Sequence, residues 1–257
     1  MPAPRLWKSK VALARMAFVA AVFVLLELLC RLGVIDRVTM IPPSEMIAAL
    51  FDILRSGRFN ADIAFTCYNT LCAIALAICI GFFLGAGLHA LPRLRRMLDP
   101  LLSAYYAVPT FVFYPLLIVV FGVGRTALIV IGAMFGIVAM IVNTVLGLDR
   151  VPPAVDRTGR ILRLGALRQL VLVRLPAAAP HLVSGIKLAV AYSVIGIVAG
   201  EFILATSGIG KRVAFAYDNF DNRTMYGLLL LLLIAVMLIN GCLSAWEKQL
   251  HRRFGQQ

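Results

Sequence analysis

The hydrophobic positions of the chain fall into six long runs, which polar segments separate. Each run approaches the length of about 20 residues that a helix needs to cross roughly 30 Å of hydrocarbon. Only a helix satisfies its own backbone hydrogen bonds in lipid, so the pattern predicts an all-α integral membrane protein with one domain over residues 1–257. The six predicted spans are residues 11–32, 63–91, 101–121, 127–148, 182–204 and 225–246.

The polar segment between the fourth and fifth spans, residues 149–180, is called the central segment below. It carries six arginines, and apolar residues recur among them at helical spacing. Pro153 can begin a helix, whereas Pro176 is expected to interrupt one. The pattern predicts one or two short amphipathic helices at a membrane surface. Two interpretations stay open: a basic loop that only fixes topology, or a docking element for a soluble partner.

A short helix is also predicted in the loop between the first two spans. Ser44 follows two prolines and can cap a helix over residues 46–54, where the apolar residues form one stripe. This helix is expected to lie along the outer surface of the membrane.

Glycines recur at four-residue spacing in two of the predicted spans. Gly81 and Gly85 form one pair, and Gly132 and Gly136 form the other. Small residues at this spacing let helix backbones approach closely. Packing within one subunit is favoured over dimerisation as their use.

Composition and charge agree with a polytopic membrane protein and predict its orientation. Hydrophobic residues make up 61% of the 257 residues, and the mean hydropathy is +0.93. The net charge of +13 would suggest nucleic acid in a soluble protein, but here basic cytoplasmic loops beside membrane lipid account for it. An uncleaved first span with its N-terminus inside puts sixteen Lys and Arg on the cytoplasmic side and eight outside. Both termini and the central segment are therefore predicted to be cytoplasmic.

The chain lacks the motifs of common catalytic and nucleotide-binding sites. It has no GxxxxGK[ST] loop, so it is not expected to bind ATP in the P-loop manner. Its three histidines and five cysteines show neither metal-ligand spacing nor a CxxC pair, and no metal site is expected. No catalytic constellation is present either, so the chain is not predicted to be an enzyme. Uphill transport would need an ion gradient or a separate ATPase.

Polar residues inside predicted spans are the candidates for a translocation pathway, because placing them in lipid is costly. For Glu201 the alternative is a structural hydrogen bond to a neighbouring helix or to the turn at residues 207–210. For Glu27 the alternative is a pair with Arg31, one turn further on. The predicted pathway residues are Tyr105, Tyr114, Asn143, Lys187, Tyr192 and Glu201.

The order and spacing of several short motifs resemble the membrane subunit of binding-protein-dependent ABC importers, in the nitrate, sulfonate and taurine branch. The resemblance covers roughly residues 41–253. The motifs include Pro42-Pro43-Ser44-Glu45, Phe121-Gly122-Val123-Gly124, Leu175-Pro176, Ala199-Gly200-Glu201 and Ser207-Gly208-Ile209-Gly210. The resemblance implies a type I importer permease fold with a cytoplasmic coupling helix between spans four and five. It implies two P-loop ATPase subunits that carry the ATP and Mg, an extracytoplasmic solute-binding protein and a second permease copy as partners.

The resemblance also assigns a role to the central segment, whose family pattern is Glu-Ala-Ala, then Gly, then Leu-Pro. Counting back from Leu175-Pro176 without gaps places Arg157 at the Glu position and Arg163 at the Gly position. Placing Gly165-Ala166 at the Gly position instead requires a two-residue deletion. By resemblance, the residues that couple to the ATPase are Arg157, Gly159, Arg160, Ile161, Leu162, Arg163, Leu164, Gly165, Ala166 and Leu167.

Two functions are carried forward from the sequence. The first is a bacterial inner-membrane importer subunit for a small anion or zwitterion such as a sulfonate, taurine or nitrate. The second is a gradient-driven carrier or channel that uses Glu201 and Glu27 as ion-coupling carboxylates. An integral-membrane enzyme is a third class, but it lacks any catalytic constellation.

Overall fold

The computed structural model describes residues 5–105, 108 and 110–254, with side chains except those of residues 5–12, 156, 158, 160, 166, 167, 204 and 250–254. The chain is helical in every regular element within these residues. In order, the elements are α1 (Arg5–Arg31), α2 (Pro43–Ser56), α3 (Asn60–Ala90), α4 (Pro92–Tyr105), a 3-10 helix (Thr110–Phe113), α5 (Tyr114–Phe121), α6 (Arg125–Asp149), α7 (Pro153–Ile161), α8 (Ala166–Gln169), a π-helical turn (Leu170–Arg174), α9 (Leu175–Leu204), α10 (Ile209–Asp218) and α11 (Asn222–Phe254).

Five of the described helices are long and apolar enough to cross a membrane. They are α1, α3, α6, α9 with the π-helical turn, and α11. A sixth crossing is reached if α4 and the helices over Thr110–Phe121 count as one span. The sequence placed this third span at residues 101–121, with a loop before it. The structure corrects that boundary, since α4 is already helical from Pro92.

The chain divides into two compact units. Unit 1 comprises Met1–Asn60 and Arg212–Leu232, and unit 2 comprises Ala61–Lys211 and Leu233–Gln257. In unit 1, α2 buries the face that carries Ala49, Leu50 and Ile53. In unit 2, α3, α6 and α9 form the core.

Small residues hold the three core helices of unit 2 together. A Cβ atom on Gly81 would lie 2.6 Å from the Cβ atom of Met140. One on Gly136 would lie 2.6 Å from Oγ of Ser193 and 2.9 Å from the Cβ atom of Ala77. Because a Cβ atom essentially never approaches another atom below 3.0 Å, these positions admit only glycine without a shift. The prediction that the glycine pairs serve packing within one subunit is confirmed at both positions.

Ser44 does not cap α2, contrary to the prediction from sequence. The helix begins at Pro43, and its N-cap residue Pro42 makes no side-chain capping bond. The Ser44 hydroxyl donates instead to Oε1 of Glu27 at 2.7 Å, and its backbone N–H donates to Oε2 at 3.0 Å. Glu27 also accepts from Nε of Arg31 at 2.6 Å, so the predicted Glu27–Arg31 pair is confirmed.

Pro176 does not interrupt the helix, which is a second correction. The chain is helical without a break from Ala166 to Leu204, through α8, the π-helical turn and α9. The N–H of Leu175 donates to the carbonyl of Leu170, five residues earlier. The hydrogen-bond register therefore shifts directly before Pro176, where the missing N–H would otherwise break an α-helical ladder.

Candidate functional site

The central segment folds into two short helices that turn back on each other. Helix α7 ends at Ile161, and the N–H of Leu164 donates to the carbonyl of Gly159 at 3.1 Å. Arg163 lies in the left-handed conformation with φ 51°. These two features form the helix ending in which glycine usually occupies the left-handed position. Gly159 is buried, and a Cβ atom there would lie 3.1 Å from Cγ of Gln169 in α8.

The end of α7 presents apolar side chains with no cover in this chain. Ile161 is 80% exposed and Leu162 is 63% exposed. Arg157, Arg163 and Gly165 are also exposed, and Leu164 is half-buried. The side chains of Arg160, Ala166 and Leu167 lie outside the described ones. Two adjacent exposed apolar side chains between arginines suit a partner with an apolar groove and an acidic rim.

Two of the predicted pathway residues line one cavity of about 410 Å³ in unit 2. Tyr105 donates its hydroxyl hydrogen to the carbonyl of Met134 at 2.8 Å, and Tyr192 lies on the cavity wall. The cavity lining is largely aromatic, and none of its described lining residues carries a charge. The lining residues are Tyr105, Val108, Thr110, Phe111, Phe135, Tyr192 and Ile195.

Three other predicted pathway residues lie elsewhere in unit 2. Tyr114 is 3% exposed and belongs to the hydrophobic core around Leu128. The Asn143 side chain donates to the carbonyl of Ala139 in its own helix at 2.8 Å. None of Tyr114, Asn143 and Lys187 is among the described residues that line the 410 Å³ cavity.

Lys187 forms an ion pair with a residue that the sequence did not single out. Its Nζ lies 3.1 Å from Oε2 of Glu247 on α11. The Ser184 hydroxyl donates to Oε1 of the same carboxylate at 2.7 Å. The Lys187 charge is therefore balanced within the chain. Glu247 directly follows the predicted sixth span. Acidic residues are common in the loops at span ends, so nothing in the sequence singled it out.

Glu201 is fully buried and bonds to the turn that begins α10. Its Oε2 accepts from the Thr66 hydroxyl at 2.8 Å and from the N–H of Gly210 at 3.1 Å. Asp62 accepts from the N–H of Gly208 at 3.0 Å, and Oγ1 of Thr66 accepts from the N–H of Ile209 at 2.9 Å. This set is called the Glu201 network. It matches the structural alternative expected for Glu201, a bond to a neighbouring helix and to the following turn.

Sequence reasoning missed Asp62, Thr66 and a second polar cluster at Asp149. Asp149 accepts from Arg95 at 2.6 Å and lies 2.9 Å from Nδ1 of His89, so it joins the ends of α3, α4 and α6. The only local signal was a charged or hydroxyl residue near a span end. That signal is common at membrane boundaries and does not identify a partner.

A family model for the "binding-protein-dependent transport system inner membrane component" matches residues 77–256. The chain belongs to this family. It is therefore a membrane transport subunit rather than an enzyme, as predicted. The family match covers α6 to α11 in full, and with them the central segment and the Glu201 network apart from Asp62 and Thr66.

Related proteins are named for several different solutes. The chain is 27% identical to the taurine transport system permease protein TauC of Escherichia coli, over 85% of this chain and 82% of that protein. It is 24% identical to the putative aliphatic sulfonates transport permease protein SsuC of Bacillus subtilis, over 90% of this chain and 84% of that protein. It is 29% identical to the nitrate import permease protein NrtB of Synechococcus elongatus over 56% of this chain, and spans about half of that protein, 51%.

Solved transporter structures share the fold at low sequence identity. One describes inward-facing conformations of the MetNI methionine ABC transporter, with a TM-score of 0.66 and 20% identity over 75% of this chain and 95% of that one. Another is an amino acid ABC transporter with histidines, with a TM-score of 0.58 and 14% identity. The match covers 78% of this chain and 97% of that one. These matches confirm the predicted all-α fold of a type I importer permease.

Proposed function

We propose that this chain is the membrane subunit of an ATP-driven importer, which moves a small solute into the cytoplasm by alternating access. The observation that carries the proposal is the exposed Ile161–Leu162 pair at the end of α7, in a member of the permease family. A cytoplasmic ATPase would bind this pair in a groove, and movement of the ATPase would displace α7 and α8. The left-handed Arg163 supports the ungapped register, in which it occupies the glycine position of the family pattern.

The proposed complex has two such permeases, two P-loop ATPase subunits that hold ATP and Mg, and one extracytoplasmic solute-binding protein. Both termini and α7 are cytoplasmic in this arrangement, because Lys and Arg concentrate on that side. The binding protein would meet the outer residues 36–62 and 208–224. Unit 1 has a cavity of about 470 Å³ whose lining draws mostly on these ranges, including Thr39, Tyr217 and Phe220.

The proposed solute is a small organic anion or zwitterion, such as a sulfonate or taurine. The named relatives support this class. The lining of the 410 Å³ cavity supports the organic members over nitrate, because its described residues are apolar or aromatic and supply hydroxyls but no cation. A solute with a hydrocarbon body gains from such a lining, whereas a bare anion needs positive charge or several donors. This preference is tested by comparing the uptake of labelled taurine and labelled nitrate into membrane vesicles that contain the complex. Taurine uptake is expected to be faster.

The alternative, a gradient-driven carrier that uses Glu201 and Glu27, has less support. Both carboxylates accept hydrogen bonds that hold secondary structure elements together, and neither is among the described residues that line the 410 Å³ cavity. Family membership also favours the importer.

Changing both exposed apolar residues at the end of α7, Ile161→Asp with Leu162→Asp, tests the proposed docking. Burial of each side chain contributes about 1.5–3 kcal/mol, so the double variant should weaken ATPase binding by more than about a hundredfold. The measurement is the amount of ATPase that copurifies with the tagged chain in mild detergent. Val34→Asp is the matched control, since Val34 is 69% exposed and lies outside the central segment. An equal yield of ATPase from the double variant and the control would contradict the docking.

A further inference from the structure

We propose that Glu201 is a positioning residue that couples α9 to α10, so that displacement of α7 and α8 is passed to α10. The inference rests on the proposed function for the origin of that displacement. It concerns a part of the molecule far from the coupling residues, and it does not require Glu201 to touch solute.

An unbroken helical run joins the coupling residues to Glu201. From Ala166 to Leu204 the chain has 39 consecutive helical residues. At 1.5 Å per residue this run is about 58 Å long, more than the thickness of the hydrocarbon core. Its first residues are packed against α7 through Gly159 and Gln169. A helix without a break transmits a displacement of one end to the other.

At the far end of that run, side chains connect α9 and α3 to the start of α10. The N–H groups of Gly208, Ile209 and Gly210 at the start of α10 each have a side-chain acceptor. Two of these acceptors, Asp62 and Thr66, belong to α3. Glu201 is the acceptor that belongs to α9, so its side chain ties the start of α10 directly to the long helical run.

The Glu201 carboxyl group is closely packed. Glu201 is fully buried, and a Cβ atom on Gly208 would lie 2.5 Å from both of its carboxyl oxygens. A Cβ atom on Gly210 would lie 2.5 Å from the carbonyl oxygen of Val198. Hydrogen bonds in such a buried site are strong, and the close packing leaves the first residues of α10, Ile209 and Gly210, no room to shift against α9. The first three residues of α10 lie in unit 2, and its remaining residues belong to unit 1.

The connection is tested first on the chain alone, by amide hydrogen exchange and mass spectrometry in lipid nanodiscs. In Glu201→Ala, the amides of residues 208–210 should exchange at least tenfold faster than in the wild type. Glu201→Gln keeps an oxygen acceptor at the same reach and should restore slow exchange. Ser193→Ala is the matched control on α9, because Ser193 is also fully buried and its Oγ has no partner among the described residues. Unchanged exchange in Glu201→Ala would overturn the connection.

Transmission is tested next on the complex with its copurified ATPase, with and without ATP and vanadate. In the wild type and in Glu201→Gln, the nucleotide should change exchange both at residues 153–165 and at residues 208–218. In Glu201→Ala, or in Glu201→Asp if the alanine variant does not fold, the change should stay at residues 153–165. Equal changes at residues 208–218 in all variants would overturn the proposal. Failure of any ATPase to copurify would overturn the proposed function, while the nanodisc measurement still decides the connection.

Discussion

The two ends of the helical run from Ala166 to Leu204 differ in what surrounds them. At the Leu204 end, Glu201 is fully buried, and its network provides acceptors within the chain for the N–H groups of Gly208, Ile209 and Gly210. At the Ala166 end, Ile161 and Leu162 at the end of the adjacent helix α7 are exposed, and Arg163 holds a left-handed conformation. One end is held by contacts within a single chain, and the other exposes apolar side chains that the proposed ATPase would cover.

A polar residue inside a membrane span can have either of two roles, solute contact or structural support. A buried carboxylate in a span is commonly read as a solute or ion site. Here Glu201 instead holds the beginning of a helix, and the surface suited to a partner is mostly apolar. Under the proposed function, the working surface is an exposed apolar pair outside the spans, and the charge inside a span has a structural role.

The largest loss of stability is expected from Gly208→Ala, which disturbs the Glu201 network at the Leu204 end. The new Cβ atom would collide with both carboxyl oxygens of Glu201, and the φ of +109° disfavours any L side chain. The variant should lose about 3 kcal/mol of stability, seen as a lower apparent Tm in detergent. Gly87→Ala is the control, since nothing lies within 4 Å of its Cβ position. A Tm equal to that of the control would show that the carboxyl group can move aside.

A smaller loss is expected from Thr66→Val, which keeps the shape of the side chain and removes its hydroxyl. The Glu201 carboxyl and the N–H of Ile209 would each lose a partner in a buried site, at a cost of about 2 kcal/mol. The apparent Tm should fall accordingly. Thr70→Val changes the same buried face of α3 one turn further on, and no hydrogen bond of its side chain is found among the described residues. Equal losses in the two variants would assign the effect to packing and not to the network.

The smallest effect, and one of opposite sign, is expected from Arg163→Gly at the Ala166 end. Glycine adopts the left-handed conformation without the strain of about 1 kcal/mol that arginine bears. Exchange of the amides of residues 157–164 should slow about fivefold. Arg157→Gly replaces an exposed arginine inside α7, where glycine costs about 1 kcal/mol, and should make the same amides exchange faster. Faster exchange in both variants would contradict the assigned helix ending.

Long uniform apolar runs made most of the fold predictable. The fourth span was expected at residues 127–148, and α6 runs from Arg125 to Asp149. The start of the third span was harder to predict from sequence. Helix α4 includes Arg95, whereas the hydropathy of this stretch indicates a loop. The structure shows its compensation, a bond of 2.6 Å to Asp149, 54 residues further along the chain. The helix across Pro176 was missed for a similar reason, since a π-helical register shift has no sequence pattern of its own.

The sequence identified individual polar residues of the spans, but it did not predict which of them lie together in the structure. Tyr105 and Tyr192 were chosen as intramembrane polar residues, and the structure brings them to one cavity. Lys187 and Glu201 were chosen by the same rule, but each is held by a distant side chain, Glu247 or Thr66. Such pairings depend on how helices pack, and no local spacing encodes them.

The separation along the chain of the partners in the Glu201 network has a consequence for biosynthesis. The amide that bonds to Asp62 lies 146 residues later in the sequence. At 5–20 residues per second, the ribosome reaches Gly208 roughly 7–30 s after it has made Asp62. During that interval Asp62 and Thr66 lack their final partners. The Glu201 network is therefore expected to form only after the fifth predicted span has been synthesised.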